Sequence, residues 1–118
     1  MKHADDALFV YGSLLKEAKR MEILGHRVEV IDARLDGFER GRARYFYIVR
    51  TEGAVTVGMV MLGLSKEDWH RLDAYEEVPT LYTREEIEVV TSEGPLRCWV
   101  YLPTPECIKQ EGEYLAKM

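Results

Sequence analysis

The sequence predicts an α+β domain, a mixed sheet or small barrel of about six strands with two or three helices. Three observations carry this. Short runs rich in β-branched and aromatic residues recur, bounded by glycine, proline and polar turns. Helical spacing falls between the early strands, whereas the later strands follow one another directly, which argues against a doubly wound fold. The run Ala54–Leu62 is apolar on both alternating faces, the pattern of a central strand or of one lining a closed barrel.

Ala7–Val10 is a short apolar run that stops at Tyr11-Gly12-Ser13, a buried strand running into a loop. Leu14, Ala18 and Met21 stand at helical spacing, so Lys16–Leu24 reads as a helix with Gly25 as its C-terminal cap. Val28–Leu35 alternates loosely and reads as a strand, and Gly37 and Gly41 punctuate a bend. Arg44–Arg50 is the next strand, joined by a hairpin turn at Glu52-Gly53 to Ala54–Leu62. There, Val55, Val57, Met59 and Met61 share one face and Ala54, Val60 and Leu62 the other, while Gly58 marks a bend or a close backbone approach. Ser65 caps a helix, with Asp68 three residues on. Val78-Pro79 should end it, because the residue before proline disfavours the α region. Tyr82–Val90 and Leu96–Leu102 are strands joined through Ser92-Glu93-Gly94-Pro95, and Glu106–Lys117 is a terminal helix.

The 118 residues suit one domain spanning residues 1–118. A chain that is 47% hydrophobic and 31% charged packs a core, which excludes a disordered chain, a collagen-like repeat and a disulfide scaffold. Sixteen basic residues against 21 acidic give a net charge of -5, which opposes nucleic-acid binding and leaves only a local patch at Arg40, Arg42 and Arg44. The longest apolar run, Val57–Leu64, falls far short of the ~20 residues that span a bilayer. Asp5 and Asp6 sit where a signal peptide would begin its apolar core. A cytoplasmic protein with no membrane partner is therefore expected. Cys98 and Cys107 could be bridged, but without a secretory signal they read as free thiols.

The common catalytic motifs are absent. There is no G-x-x-x-x-G-K or G-x-G-x-x-G, and His3, His26 and His70 are scattered, so neither a nucleotide, a metal nor another cofactor is expected. Ser13 lies in Y-G-S-L rather than G-x-S-x-G. Two features remain. The Gly12-Ser13 turn follows a buried strand, where converging backbone N–H groups can bind a carboxylate or carbonyl oxygen, or simply turn the chain into a helix. The second is Glu76. With Trp69 at zero degrees and ~100° per residue, Leu72 falls at about 300°, Asp73 at about 40°, Glu76 at about 340° and Glu77 at about 80°. Glu76 thus sits on the apolar stripe, whereas Glu77 points off it. A carboxylate there has a function, or an ion pair with Arg84 or Arg71, or a helix that frays before it.

Leu8-Phe9-Val10-Tyr11-Gly12-Ser13-Leu14, followed by Leu72-Asp73-Ala74-Tyr75-Glu76 and Tyr82-Thr83-Arg84, resembles the gamma-glutamylcyclotransferase-like family, in particular its short avirulence-induced-gene-like branch. The resemblance covers roughly residues 7–102 and includes the approach Gly63-Leu64-Ser65 to Trp69 and the closing Trp99-Val100-Tyr101. It implies a small mixed β-barrel with flanking helices. It also implies an enzyme that cyclises a γ-glutamyl amine or amino acid to 5-oxoproline and releases the amine, without a cofactor. Tyr11, Gly12, Ser13 and Leu14 match the loop that holds the glutamyl group. Glu76 matches the catalytic glutamate, Tyr82 and Tyr101 match aromatic positions near the cavity, and Arg84 matches the Y-x-R pattern. The family commonly has glycine after the catalytic glutamate, where this chain has Glu77, which cannot cheaply adopt positive φ. The alternative is a non-catalytic module that binds a small ligand or a protein through the same cavity. The expected partner is a small γ-glutamyl molecule, and the expected state a monomer or homodimer.

Overall fold

A computed structural model describes residues 2–42 and 46–109. Strand β1 (Lys2–Val10) leads through a short 3-10 turn (Ser13–Leu15) into helix α1 (Glu17–Leu24). Two long strands follow, β2 (Glu29–Arg42) and β3 (Phe46–Leu62), then helix α2 (Lys66–Tyr75) and strands β4 (Tyr82–Thr91) and β5 (Gly94–Pro103). Residues 105–109 are helical; the rest of the expected terminal helix, from Gln110 to Lys117, lies outside the described residues.

The strands close a barrel in the order β1-β3-β2-β4-β5. All neighbours are antiparallel except β1 and β5, which run parallel. The mixed barrel is as expected, but it has five strands. The segments read as two strands, Arg44–Arg50 and Ala54–Leu62, are joined in one: β3 runs on through Glu52-Gly53 and pairs along β2 (Arg44 and Tyr45 lie outside the described residues). Asp36 faces Val55 and Phe38 faces Arg50, so Thr51–Ala54 bulge opposite Gly37. Gly37 and Gly53 take φ of 85° and 80°. A glycine that closes a hairpin serves equally well in a bulge, and the local sequence does not separate the two.

Alternation along β1 builds two layers of core. Ala7 and Phe9 point into the barrel with Val60, Val89, Cys98 and Val100. Leu8 and Val10 point outward, where Leu24 of α1 and Leu72 of α2 cover them together with Met61. The expectation that Ala54–Leu62 is buried on both faces holds only for its second half. Val55 is 51% and Val57 72% exposed, because the helix-facing core reaches only Met59 and Met61 on that face of β3. Gly58 marks a close approach: a Cβ there would stand 2.2 Å from the Val10 carbonyl oxygen and 2.8 Å from Phe9 Cζ.

α2 begins with a capping box, in which Ser65 Oγ accepts from the Asp68 N–H and the Asp68 carboxylate accepts from the Ser65 N–H. It ends at Tyr75, three residues before Val78, not at the proline. Glu76 still has helical backbone and its N–H donates to the Leu72 carbonyl at 2.9 Å. Glu77 then turns to φ 54°, and the N–H groups of Glu77 and Val78 close onto the carbonyls of Ala74 and Asp73. This is a Schellman closure, and Leu72 and Val78 share the apolar cluster beneath it.

Candidate active site

The residues singled out in the sequence converge where the end of β1 meets the end of α2. Tyr11 follows β1 directly and is buried. Its hydroxyl donates to the Tyr101 carbonyl on β5 at 2.7 Å, and its own carbonyl accepts from Arg40 Nη1 at 2.9 Å. The following turn is held from both sides. Arg20 Nη1 donates to the Leu14 and Leu15 carbonyls at 2.8 and 2.9 Å, and Leu14 packs its side chain into the helix-facing core. Ser13 Oγ shares a 2.6 Å hydrogen bond with Tyr75 Oη, which joins the turn to the last residue of α2. The 3-10 turn leaves the N–H groups of Ser13 and Leu14 without acceptors inside the turn itself.

Glu76 comes next after Tyr75, and neither structural explanation for it applies. α2 does not fray before it, as the bond to Leu72 shows. Arg84 Nε meets Asp73 Oδ1 at 3.2 Å, and Arg71 is committed to Glu67 and the Leu24 carbonyl. Among the described residues no ion pair or side-chain hydrogen bond engages the Glu76 carboxylate. Burial without a compensating charge raises its pKa from 4.5 to about 7. Its charge is felt by the phenols around it. Tyr11 is held far above the ordinary tyrosine range by burial first, then by Tyr82, Glu76 and Cys107. Tyr101 is raised by burial, then by its bond to Asp73, with Glu76 a smaller contributor. Tyr11, Tyr82, Tyr101 and Glu76 therefore occupy one neighbourhood. Glu77 is exposed.

Arg84 stands differently from the other matched residues. Its guanidinium lies 4.5 Å from the centre of the Trp69 ring and 5.6 Å from that of Trp99, with Asp73 at Nε. Asp73, which also accepts the Tyr101 hydroxyl at 2.6 Å, was not singled out in the sequence, nor was Arg20. The helical wheel places Asp73 about 40° from Trp69, close enough to the stripe to be noticed. For Arg20 no local signal exists, and Arg40 was legible only as part of a basic patch. Of the basic patch expected at Arg40, Arg42 and Arg44, Arg40 donates to the Tyr11 carbonyl, and Arg44 lies outside the described residues. Cys98 and Cys107 are buried free thiols, in the barrel core and the helix-facing core respectively. Among the described residues no group of three His, Cys, Asp or Glu is placed to hold a metal ion, and no helix is long and apolar enough to cross a membrane.

The fold is that of a small closed mixed β-barrel domain with flanking helices, and here the desolvated Glu76 follows the Tyr75 that bonds to the strand-to-helix turn. The chain belongs to the family described as gamma-glutamyl cyclotransferase, AIG2-like, whose model matches residues 8–117. A Methanocaldococcus jannaschii protein described as a gamma-glutamylcyclotransferase and putative RNase is 26% identical over 90 residues, which are 74% of this chain and 40% of that protein. The chain thus spans about two fifths of the curated relative it matches. An Arabidopsis thaliana protein solved in solution superposes with a TM-score of 0.76 at 25% identity, over 95% of this chain and 83% of the other. A solved gamma-glutamyl cyclotransferase superposes with a TM-score of 0.73 at 24% identity, over 95% and 85% of the two chains, a likeness of fold.

Proposed function

We propose that this protein is a cofactor-independent cyclotransferase that converts a small γ-glutamyl amine or amino acid to 5-oxoproline and releases the amine. The observation that carries this reading is the Glu76 carboxylate, unpaired among the described residues and desolvated, brought to the Tyr11–Leu14 turn through the Ser13–Tyr75 bond. A base with a pKa near 7 is well matched to an α-amino group near 8. Glu76 takes a proton from the α-amino group, whose lone pair attacks the γ-carbonyl carbon. The new C–N bond forms, the ring nitrogen sheds its second surplus proton to Glu76 as the first passes to the leaving nitrogen, the bond to the leaving amine breaks, and that amine departs with both protons as an ammonium. The N–H groups of the turn hold the glutamyl group and its developing oxyanion. In this reading Tyr11 and Tyr82 line the glutamyl site, and Tyr101 and Arg84 complete its binding side. Because nucleophile and electrophile belong to one molecule, holding the glutamyl chain bent supplies much of the acceleration. Family membership supports this reading at the level of a family that includes such enzymes.

The test is a panel of γ-glutamyl amines and γ-glutamyl amino acids incubated with the protein, with 5-oxoproline detected by mass spectrometry. Release from at least one compound, abolished in Glu76→Gln, is the expected result. Binding of these compounds without any turnover would replace the enzyme by a non-catalytic binding module.

A further inference from the structure

Tyr101 is buried on β5, and its hydroxyl donates to Asp73 Oδ1 at 2.6 Å. A phenol has one proton and two lone pairs. With that proton committed to Asp73, the oxygen can only accept from any other group that reaches it. Asp73 is itself fixed. Arg84 Nε meets the same Oδ1 at 3.2 Å, and the guanidinium is packed over Trp69, one turn earlier on α2, and Trp99, two residues before Tyr101 on β5. Glu76 stands three residues after Asp73 on the same helical path, near enough for its charge to act on the Tyr101 phenol. The structure therefore sets an acceptor-only hydroxyl on Asp73, one helical turn before the candidate base.

We propose that Asp73 is a positioning residue that makes Tyr101 Oη an obligate acceptor for the substrate's α-amino group, next to Glu76. This rests on the cyclotransferase reading. In that reaction the amine gives one proton to Glu76, and its lone pair must remain free to form the bond to the γ-carbon. A tyrosine hydroxyl that donated to the amine nitrogen would occupy this lone pair. One that accepts a second amine N–H leaves it free and turns it away from Tyr101. Asp73 decides between the two through the direction of a single hydrogen, and Arg84 contributes to substrate binding by holding Asp73 in place.

The experiment measures kcat and KM on the best γ-glutamyl compound of the panel for wild type, Asp73→Asn, Tyr101→Phe and the double variant. In Asp73→Asn a neutral amide oxygen, still shared with Arg84, replaces the anionic acceptor, so the hold on the Tyr101 proton weakens and the hydroxyl turns in part toward the substrate. Asp73→Asn should lose ~10- to 100-fold in kcat with KM changed less than about threefold, the pattern of a group that orients rather than binds. The double variant should be no slower than Tyr101→Phe alone, since position 73 then has nothing to orient. A glutaryl amide of the same amine, which lacks the α-amino group, should inhibit wild type and Tyr101→Phe equally. Additive losses in the double variant, or an unchanged kcat in Asp73→Asn, would overturn the proposal while leaving the cyclotransferase reading intact. If Asp73→Asn does not fold, the inhibitor comparison decides: weaker glutaryl amide binding in a folded Tyr101→Phe overturns the proposal. Absence of 5-oxoproline release by wild type overturns the reading and the proposal together.

Discussion

Replacing Glu76 by glutamine should stabilise the protein above pH 7 and leave its stability nearly unchanged near pH 4.5. The unfolded chain releases the Glu76 proton around pH 4.5, whereas the folded protein holds it to about 7. Between these values the native state binds more protons than the unfolded state, so this group's contribution falls as pH rises, and the full penalty is present above 7. The difference in proton affinity corresponds to about 3 kcal/mol, reduced to about 2–3 kcal/mol because the residue is only partly buried. Glutamine keeps the shape and cannot ionise, so it escapes the penalty. Urea unfolding of wild type and Glu76→Gln at pH 5, 6, 7 and 8 reads this directly. The variant's advantage should grow with pH and level off near pH 8. A constant difference across that range, or a variant less stable at pH 8, would refute the reasoning and with it the desolvated carboxylate. The same carboxylate sets the activity profile: wild-type kcat/KM should rise through about pH 7 as Glu76 ionises, and Glu76→Gln should lose ~10²- to 10⁴-fold in turnover.

Glu77→Gly should remove the strain of a side chain at φ 54° and gain up to about 1 kcal/mol, offset in part by the greater freedom of glycine in the unfolded chain; a loss in urea unfolding would count against the Schellman closure. Gly58→Ala should cost about 1–3 kcal/mol or prevent folding, because its Cβ would stand 2.2 Å from the Val10 carbonyl oxygen; a melting temperature equal to wild type would contradict the close approach. Tyr75→Phe and Ser13→Ala should each cost roughly 0.5–1 kcal/mol, and the double variant no more than either single one, since both break the same 2.6 Å bond; additive losses in thermal unfolding would argue against it. His26→Gln should reduce stability more at pH 6 than at pH 9. The bond to Asp68 raises the His26 pKa, so its stabilisation is fully present below the ordinary histidine value and fades as pH rises through the folded one; equal losses at both pH values would deny the ion pair.

Much of the candidate site was legible in the chain because its parts are local. Tyr11 to Leu14 announce a turn through the stop of an apolar run, and Glu76 announces itself by standing on an apolar helical stripe that a solvated carboxylate would avoid. The Ser65 cap, Gly25 at the end of α1 and the crowding at Gly58 were likewise read from neighbours in sequence. The hairpin at Glu52-Gly53 misled because a bulge and a turn call for the same glycine, and only the long partner β2 shows which one forms. Val55 and Val57 misled for a related reason: alternation says which face they share, not whether a helix covers it.

Local sequence by itself therefore determined the strand and helix alternation, the caps, the place of Glu76 on an apolar helical stripe and the turn before α1, since each depends on contacts within a turn or two of the chain. Only the tertiary structure decided that β1 closes the barrel by lying parallel to β5, and that Tyr75 reaches Ser13 across 62 residues. It alone placed Arg40 on the Tyr11 carbonyl and gave Arg84 to Asp73 rather than to Glu76. The reason is physical. Whether a carboxylate finds a cation depends on which distant side chain barrel closure carries to it, and here closure carried Arg84 one helical turn short, leaving Glu76 partly buried and desolvated without a counter-charge among the described residues.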